Sequence, residues 1–395
     1  MSAPISLRRV LKFRAIVSAV VAISSILLMP LAALACGGLF TPGTPLDQNI
    51  ERIIFAVAPG SMTVYEQINY SGSASDFAWV LPVPSVPKLE TAPISTFRNL
   101  DQQTVPRFIG PEPPQCGLPP LGPQPVGSGL PPGGVNVYGS GTVGPYAYDV
   151  IGSSDPAALT KWLLGHHYHI PDQVQPAIQS YTQAHMLFLA MRLQPQAGVQ
   201  DIQPVKVTFA TTQPQVMIPL RMAASSSMPH MGILVWIFGS GRFVPQNYQA
   251  LQIRKTQIAL DPYAGANYEQ LVENAASQAN GHGFITEYAQ PSSMLSTEGD
   301  PTLADLQQHY SYVTRLYTRI SPEQMTLDPV FAAQNGLPNV SNVYDLSNEP
   351  APTTCDPFNL FLGSLGPFIY LVAVLVIAGL VVGGVLLIRR RTGSS

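Results

Sequence analysis

The chain has 395 residues, a net charge of −3 and only 11% charged residues, so it lacks the basic surplus typical of nucleic-acid-binding proteins. This length allows one large domain or two smaller ones, each with its own hydrophobic core. The 39 prolines and 32 glycines indicate many turns, and with the valine and aromatic runs they favour a β-rich α+β fold with several short helices.

The chain begins with a predicted signal peptide, residues 1–35. Basic residues precede the apolar run Ala15–Leu34, and Ala35 completes an A-x-A cleavage site before Cys36. Two alternatives stay open, an uncleaved membrane helix and lipid attachment to Cys36. Because positive charge stays on the cytoplasmic side of a membrane, the chain that follows is expected outside the cytoplasm.

Residues 36–105 are predicted to form an N-terminal, β-rich part of the ectodomain. Alternating side chains predict a hairpin of the strands Arg52–Ala58 and Met62–Tyr70 around a Pro-Gly turn. A third strand is predicted over Asp76–Val83, and Pro82 and Pro84 confine its end to the edge of a sheet. A short helix is expected over residues 95–103.

Residues 106–145 are rich in proline and glycine and nearly free of charge. This composition is typical of a loop or linker, and a proline-rich segment that binds a partner is the alternative.

Residues 146–337 are predicted to form the main α+β part. Helices are predicted over 155–165, 173–181, 267–279 and from residue 300, and strands over 135–151, 186–193, 205–211, 215–222, 233–238, 252–260 and 283–288. Ile233–Phe238 is apolar on both faces and is expected to be a central strand. Ser321 and Gln324 have the spacing of a capping box. The buried face of the helix that begins at Asp300 is expected at Leu303, Leu306, Tyr310, Val313 and Tyr317.

The C-terminal region is predicted to be a stalk (338–366), a transmembrane helix (367–388) and a cytoplasmic tail (389–395). The apolar run carries no charge, spans roughly 31 Å as a helix and ends at a positive-inside anchor of Arg389, Arg390 and Arg391. Gly379 and Gly383 form a G-x-x-x-G spacing that can let two membrane helices pack closely. Glycine is also common in membrane helices that do not pair, so a homodimer is the alternative to a lone helix.

Three strings resemble a known family. Cys36-Gly37-Gly38 follows the signal, residues 69–83 read NYSGSASDFAWVLPV, and residues 313–331 read VTRLYTRISPEQMTLDPVF. Together they resemble the bacterial family called domain of unknown function 2330. The resemblance implies an exported bacterial protein, often with a membrane-spanning tail. It implies no reaction and no catalytic residues.

The chemically reactive residue types form few groups. Cys36, Cys116 and Cys355 allow one disulfide, and the sequence leaves its pairing open. His166, His167 and His169 are candidates for zinc or copper ligands, with a polar helix end as the alternative. Four aromatic residues over 65–79 are expected in a sheet core, and a glycan-binding platform is the alternative.

The sequence therefore predicts a single-pass cell-membrane protein with an extracytoplasmic ectodomain and a cytoplasmic C-terminus. No catalytic residue, cofactor or nucleic-acid partner is predicted. A non-enzymatic role is favoured, in which the ectodomain binds an envelope protein or a glycan beside the lipid bilayer. The alternative is a membrane-tethered hydrolase, metal-assisted through the histidines at 166–169.

Overall fold

The structure is a computed structural model that describes residues 38–39, 50–68, 70, 73–110, 140–166, 168, 170–211, 216–261 and 265–348. The chain divides into a larger unit (1–107, 126–258 and 267–344) and a smaller one (108–125, 259–266 and 345–395). Within the described ranges no helix is both long and apolar enough to cross a membrane. The predicted segments at 1–35 and 367–388 lie outside these ranges, so they stay predictions.

The described residues form a β-rich α+β fold with six short α-helices. The helices are α1 (Ile94–Thr104), α2 (Pro156–Gly165), α3 (Gln175–Gln183), α4 (Leu220–Ala223), α5 (Tyr268–Gln278) and α6 (Pro301–His309). The first ten strands are β1 (Gly38–Leu39), β2 (Ile50–Ala58), β3 (Ser61–Gln67), β4 (Ala78–Val83), β5 (Lys88–Thr91), β6 (Arg107–Ile109), β7 (Gly141–Val143), β8 (Tyr146–Ile151), β9 (Leu187–Leu193) and β10 (Val205–Ala210). The others are β11 (Val216–Met217), β12 (Met231–Gly239), β13 (Arg242–Pro245), β14 (Gln249–Leu251), β15 (Leu260–Asp261), β16 (Gly265–Ala266), β17 (Gly283–Pro291), β18 (Tyr312–Ile320), β19 (Val330–Gln334) and β20 (Val343–Asp345).

Two sheets dominate the larger unit. One has eight strands in the order β14-β17-β18-β12-β2-β3-β10-β5, and the other has five in the order β1-β4-β9-β8-β7. The β12–β2 and β14–β17 pairs are parallel, and the remaining pairs in these sheets are antiparallel. A three-stranded sheet, β11-β19-β13, completes this unit. In the smaller unit β15 pairs with β16, and the amide of Leu346 donates to the carbonyl of Ile109.

The hairpin of β2 and β3 forms as the sequence predicts. Gly60 has a φ of 82°, a left-handed conformation that a side chain would disfavour, and it reverses the chain between the strands. Because successive side chains alternate between faces, Ile53 and Phe55 point into the space between the two large sheets. Ile54, between them, points to the other face of the eight-stranded sheet.

The core lies between the inner faces of the two large sheets. Phe55 from the eight-stranded sheet belongs to the same buried cluster as Trp79 and Met191 from the five-stranded sheet. Helices α2 and α3 cover the other face of the five-stranded sheet through Leu163 and Ile178. Burying one such large apolar side chain contributes about 1.5–3 kcal/mol, so this sandwich supplies most of the driving force for folding.

Helix α1 packs on the outer face of the eight-stranded sheet. Its Phe97 contacts Trp236 of β12 with ring centroids 6.4 Å apart. The Trp236 indole N–H donates to Thr104 Oγ1 at 2.9 Å, so this buried polar group is satisfied. The expectation of a central strand at 233–238 is confirmed, since β12 lies between β2 and β18 and is buried throughout.

Three predicted segments are wrong. The helix that begins at Asp300 ends at His309, and β18 follows, so Val313 and Tyr317 lie on a strand instead of a helix face. The predicted strand at 215–222 contains only the two-residue β11 before Pro219 and helix α4. The predicted strand at 252–260 is mostly irregular and exposed, with a short 3-10 helix at Lys255–Gln257, and only Leu260 at its end belongs to a strand, β15.

Candidate functional site

A cavity of about 280 Å³ lies between the two large sheets. Apolar side chains from both sheets and from the segments beside them form most of its wall: Ile53, Phe55, Met62, Val64, Leu81, Pro82, Met186, Phe209, Met217 and Pro219. Pro84 and Ala184 also line it and are exposed, so the cavity opens to the surface beside them. Its volume is nearly twice the roughly 150 Å³ that holds one benzene molecule in a protein core.

Glu66 is the only ionisable side chain among the lining residues that the structure describes. It lies two residues from Val64 on β3 and two from Ile68, which follows the strand, so it is directed to the same inner face as these apolar residues. Only 2% of its surface is exposed. Its Oε1 atom has no hydrogen-bond partner within the described part of the chain, which is a costly arrangement for a buried polar atom.

Glu51 lies next to Glu66 on the neighbouring strand. Ile53 of β2 is directly opposite Glu66, and Glu51 precedes Ile53 by two residues, so both carboxyl groups lie on the inner face. Glu51 is 3% exposed, and its side chain is hydrogen-bonded to that of Glu66. Burial raises the pKa of Glu66 well above its usual value, and the charge of Glu51 raises that pKa further. Since two adjacent buried carboxylates cannot both ionise, the pair retains a proton.

The geometry of this pair limits the chemistry that it can perform. Glycosidases need two carboxyl groups about 5 Å or more apart on either side of a substrate, whereas these two are in hydrogen-bond contact. An acid dyad of the aspartic-protease kind needs both carboxyls at the substrate, and Glu51 does not line the cavity. The cavity therefore offers a ligand a mainly apolar wall and one acidic group, the carboxyl of Glu66.

A second buried charged cluster lies on the outer face of the eight-stranded sheet. Arg315 donates to Glu287 and to Asp101, both at 2.6 Å, and to Thr104 at 3.1 Å. The Arg315 guanidinium also lies over the ring of Trp236, 5.3 Å from its centroid. The Nε and Nη1 donors are thus directed at internal partners, so this cluster holds α1, β17 and β18 together.

Asp328, in one of the family-like strings, also has a structural role. Its Oδ2 atom accepts hydrogen bonds from the guanidinium of Arg221 at 2.6 Å and from the hydroxyl of Tyr181 at 2.8 Å. Its Oδ1 atom accepts from the Arg221 amide at 3.0 Å. The aspartate thus fixes α3 and α4 to the segment before β19.

His166, one of the three candidate metal ligands, ends helix α2. Its ring stacks on Trp162 with centroids 3.7 Å apart, and its Nδ1 atom is 2.8 Å from the Trp162 carbonyl oxygen. The other two candidates, His167 and His169, lie outside the described residues. The residues that are described contain no cluster of three or more potential metal ligands.

The remaining sequence candidates divide into two groups. Cys36, Cys116, Cys355, Gly379 and Gly383 lie outside the described residues, so the disulfide and the helix dimer stay predictions. The aromatic residues Tyr65, Tyr70, Phe77 and Trp79 are all buried. The alternative of an exposed glycan-binding platform is therefore wrong, and their expected place in the sheet core is confirmed.

Sequence reasoning did not find the pair of glutamates. A signal was present, because Glu66 interrupts an apolar alternation on β3 and Glu51 does the same on β2. The register of the hairpin was needed to show that these two interruptions meet on one face.

Comparisons with known proteins assign the chain to a family but indicate no activity. A search of curated proteins found no match. Two crystal structures of a mutated baculovirus P35 after caspase cleavage, at 3.1 and 2.7 Å resolution, share 9% and 8% identity with the chain. They cover 75% and 76% of this chain and 98% and 100% of their own, with TM-scores of 0.26 and 0.25, too low to support an argument about fold or function. A bacterial family model described as "uncharacterized protein conserved in bacteria (DUF2330)" matches residues 30–332, so the chain belongs to that family.

Proposed function

We propose that this protein is a non-enzymatic binding protein of the bacterial envelope, whose domain takes up a small apolar ligand between its two large sheets. The observation that carries the proposal is the cavity, which is open at Pro84 and Ala184 and lined mainly by apolar side chains. Ligand pockets are typically concave and apolar with a small number of polar groups, and this cavity fits that description.

The proposed location outside the cytoplasm is supported by the sequence. A basic, apolar and small-residue start is followed much later by an uncharged apolar run that ends in three arginines. A protease added to intact spheroplasts should therefore digest residues 36–357 and leave an epitope placed after residue 391 protected. Full survival of residues 36–357 under conditions that digest a known surface protein would contradict this placement.

Ligand uptake can be tested with hexan-1-ol, a neutral probe of suitable size. Isothermal titration calorimetry on the full chain in phosphatidylcholine nanodiscs should detect saturable binding. Replacing Ala184, which is exposed at the opening, by phenylalanine should reduce the affinity at least tenfold, since the larger side chain obstructs the entrance. Partition into the lipid is the same for both proteins, so their difference measures binding to the cavity.

Ala158→Phe is the matched control. Ala158 is an exposed alanine on helix α2 and does not line the cavity. This variant should bind hexan-1-ol like the parent protein. If Ala184→Phe also binds like the parent, or if the parent shows no saturable binding, the cavity is not the ligand site.

A further inference from the structure

The wall of the cavity contains a hydrogen-bond acceptor that has no partner in the described part of the protein. Glu66 lines the cavity and is only 2% exposed, and its Oε1 atom has no hydrogen-bond partner in the described part of the chain. A buried polar atom without a partner destabilises the empty protein by about 1–3 kcal/mol. A ligand that supplies a partner for this atom recovers that free energy on binding.

The charge around Glu66 restricts the class of that ligand. Its hydrogen-bonded neighbour is a second acid, Glu51, and no lysine or arginine is among the described lining residues. The cations on the two adjacent strands are Lys206, opposite Tyr65, and Arg52, opposite Gln67, so alternation directs both to the other face of the sheet. The Lys206 ammonium pairs with Glu90 at 3.0 Å. An anionic ligand would therefore meet the acid pair and no compensating positive charge among the described lining residues.

For a cationic ligand, by contrast, the negative charge that the acid pair can carry is favourable. A primary ammonium group presents three N–H donors and one positive charge, and the acid pair presents oxygen acceptors and a proton that it can release. When the ammonium enters, the proton held by the pair leaves to bulk water, and a carboxylate–ammonium pair remains. No other bond forms or breaks. A neutral alcohol makes one hydrogen bond to the same oxygen and compensates no charge.

We propose that the Glu51–Glu66 pair makes this cavity selective for a small primary amine with an apolar chain, bound with its nitrogen at Glu66 and its chain against the apolar wall. This inference rests on the proposed function, because it names the class of ligand for the same cavity. In the bound state Glu66 contacts the amine, and Glu51 is a positioning residue that acts through Glu66.

Three probes of equal chain length test the proposal. Hexylammonium, hexan-1-ol and hexanoate are titrated by calorimetry at pH 7 into the full chain in phosphatidylcholine nanodiscs, with the Ala184→Phe protein as the reference for lipid partition. Hexylammonium is expected to bind at least 30-fold more tightly than hexan-1-ol. Hexanoate is expected to bind more weakly than hexan-1-ol.

Glu66→Gln should abolish the preference, so that hexylammonium binds no more tightly than hexan-1-ol. The matched control is Glu90→Gln, which removes a carboxylate from the same sheet at its exposed edge and should keep the full preference. Infrared spectroscopy of the parent protein gives a test that does not depend on the folding of any variant. The spectrum of the parent protein should lose intensity in the protonated carboxyl band on addition of hexylammonium, and not on addition of hexan-1-ol.

The outcomes separate this inference from the proposed function. If hexan-1-ol binds in the cavity and hexylammonium gains nothing over it, the amine selectivity is wrong while the ligand site stands. If the carboxyl band is unchanged by the amine, the proposed proton release is wrong. If no probe distinguishes the parent from Ala184→Phe, both proposals are wrong.

Discussion

Replacing Arg315 by methionine should lower the free energy of unfolding by about 3–5 kcal/mol, because it leaves a buried carboxylate without its cation. The Arg315 and Glu287 side chains are 5% and 1% exposed. Burial raises the pKa of Glu287 even though the charge of Arg315 lowers it, so without the arginine this carboxyl is expected to take up a proton. The loss can be measured by urea unfolding of the full chain followed by tryptophan fluorescence.

A double variant shows whether the loss comes from the unpaired charge. Arg315→Met combined with Glu287→Leu removes both charges and should recover most of the stability, since an apolar pair of similar volume avoids the desolvation of the ions. Arg319→Met is the control, because Arg319 lies on the same strand but is 26% exposed and pairs with the more exposed Glu269. It should cost less than about 1 kcal/mol. A loss at Arg315 no larger than at Arg319 would contradict the buried network.

Replacing Glu66 by leucine should stabilise the protein at pH 8 by about 1–4 kcal/mol, because it removes a buried acid from an apolar wall. The gain should depend on pH. Between the ordinary pKa of glutamate, 4.5, and the raised pKa in the folded protein, the unfolded chain has released a proton that the folded chain retains. In that window the stability of the parent falls as pH rises, by up to about 1.4 kcal/mol per unit, and above it the loss is complete.

The measurement is the difference in unfolding free energy between Glu66→Leu and the parent at several values from pH 4 to pH 8. Subtraction removes the other titrating groups that the two proteins share. The difference should be smallest at pH 4 and rise towards pH 8. Glu90→Leu, at a half-buried position where hydrogen bonds from Lys88 and Lys206 lower the pKa of the carboxyl, should not reproduce this rise. A difference that is flat with pH would contradict the raised pKa of Glu66.

Local patterns predicted the elements whose partners are close in sequence. The β2–β3 hairpin has a Pro-Gly turn and clear alternation, and α2 and α6 begin at Asp-Pro pairs whose aspartates cap the helices as expected. One half of the capping box is also present, since the Ser321 amide donates to Gln324 Oε1 at 3.1 Å, whereas the Ser321 hydroxyl accepts from the His230 amide. These features depend on interactions within a few residues, which a single sequence contains.

The predictions failed where distant pairing decides the structure. Residues 312–320 contain apolar residues at helical spacing, yet β18 forms because β12 and β17 pair along both of its edges. The cavity was beyond sequence reasoning for the same reason. Its wall combines β2, β3, β4 and β10 with the segments around residues 184–186 and 217–219, and only the packing of two sheets brings them together.

The parallel pairing of β2 with β12 has a consequence for the order of folding. Ile53 is in register with Val235, and β12 in turn needs β18, so the centre of the large sheet joins the beginning of the domain to its end. A chain that emerges N-terminus first must leave the β2 edge of its early hairpin unpaired until β12 has appeared. Such a topology has a high contact order and folds slowly. During that interval the hairpin exposes open strand edges that are prone to aggregate, so the nascent chain is expected to need protection by a chaperone.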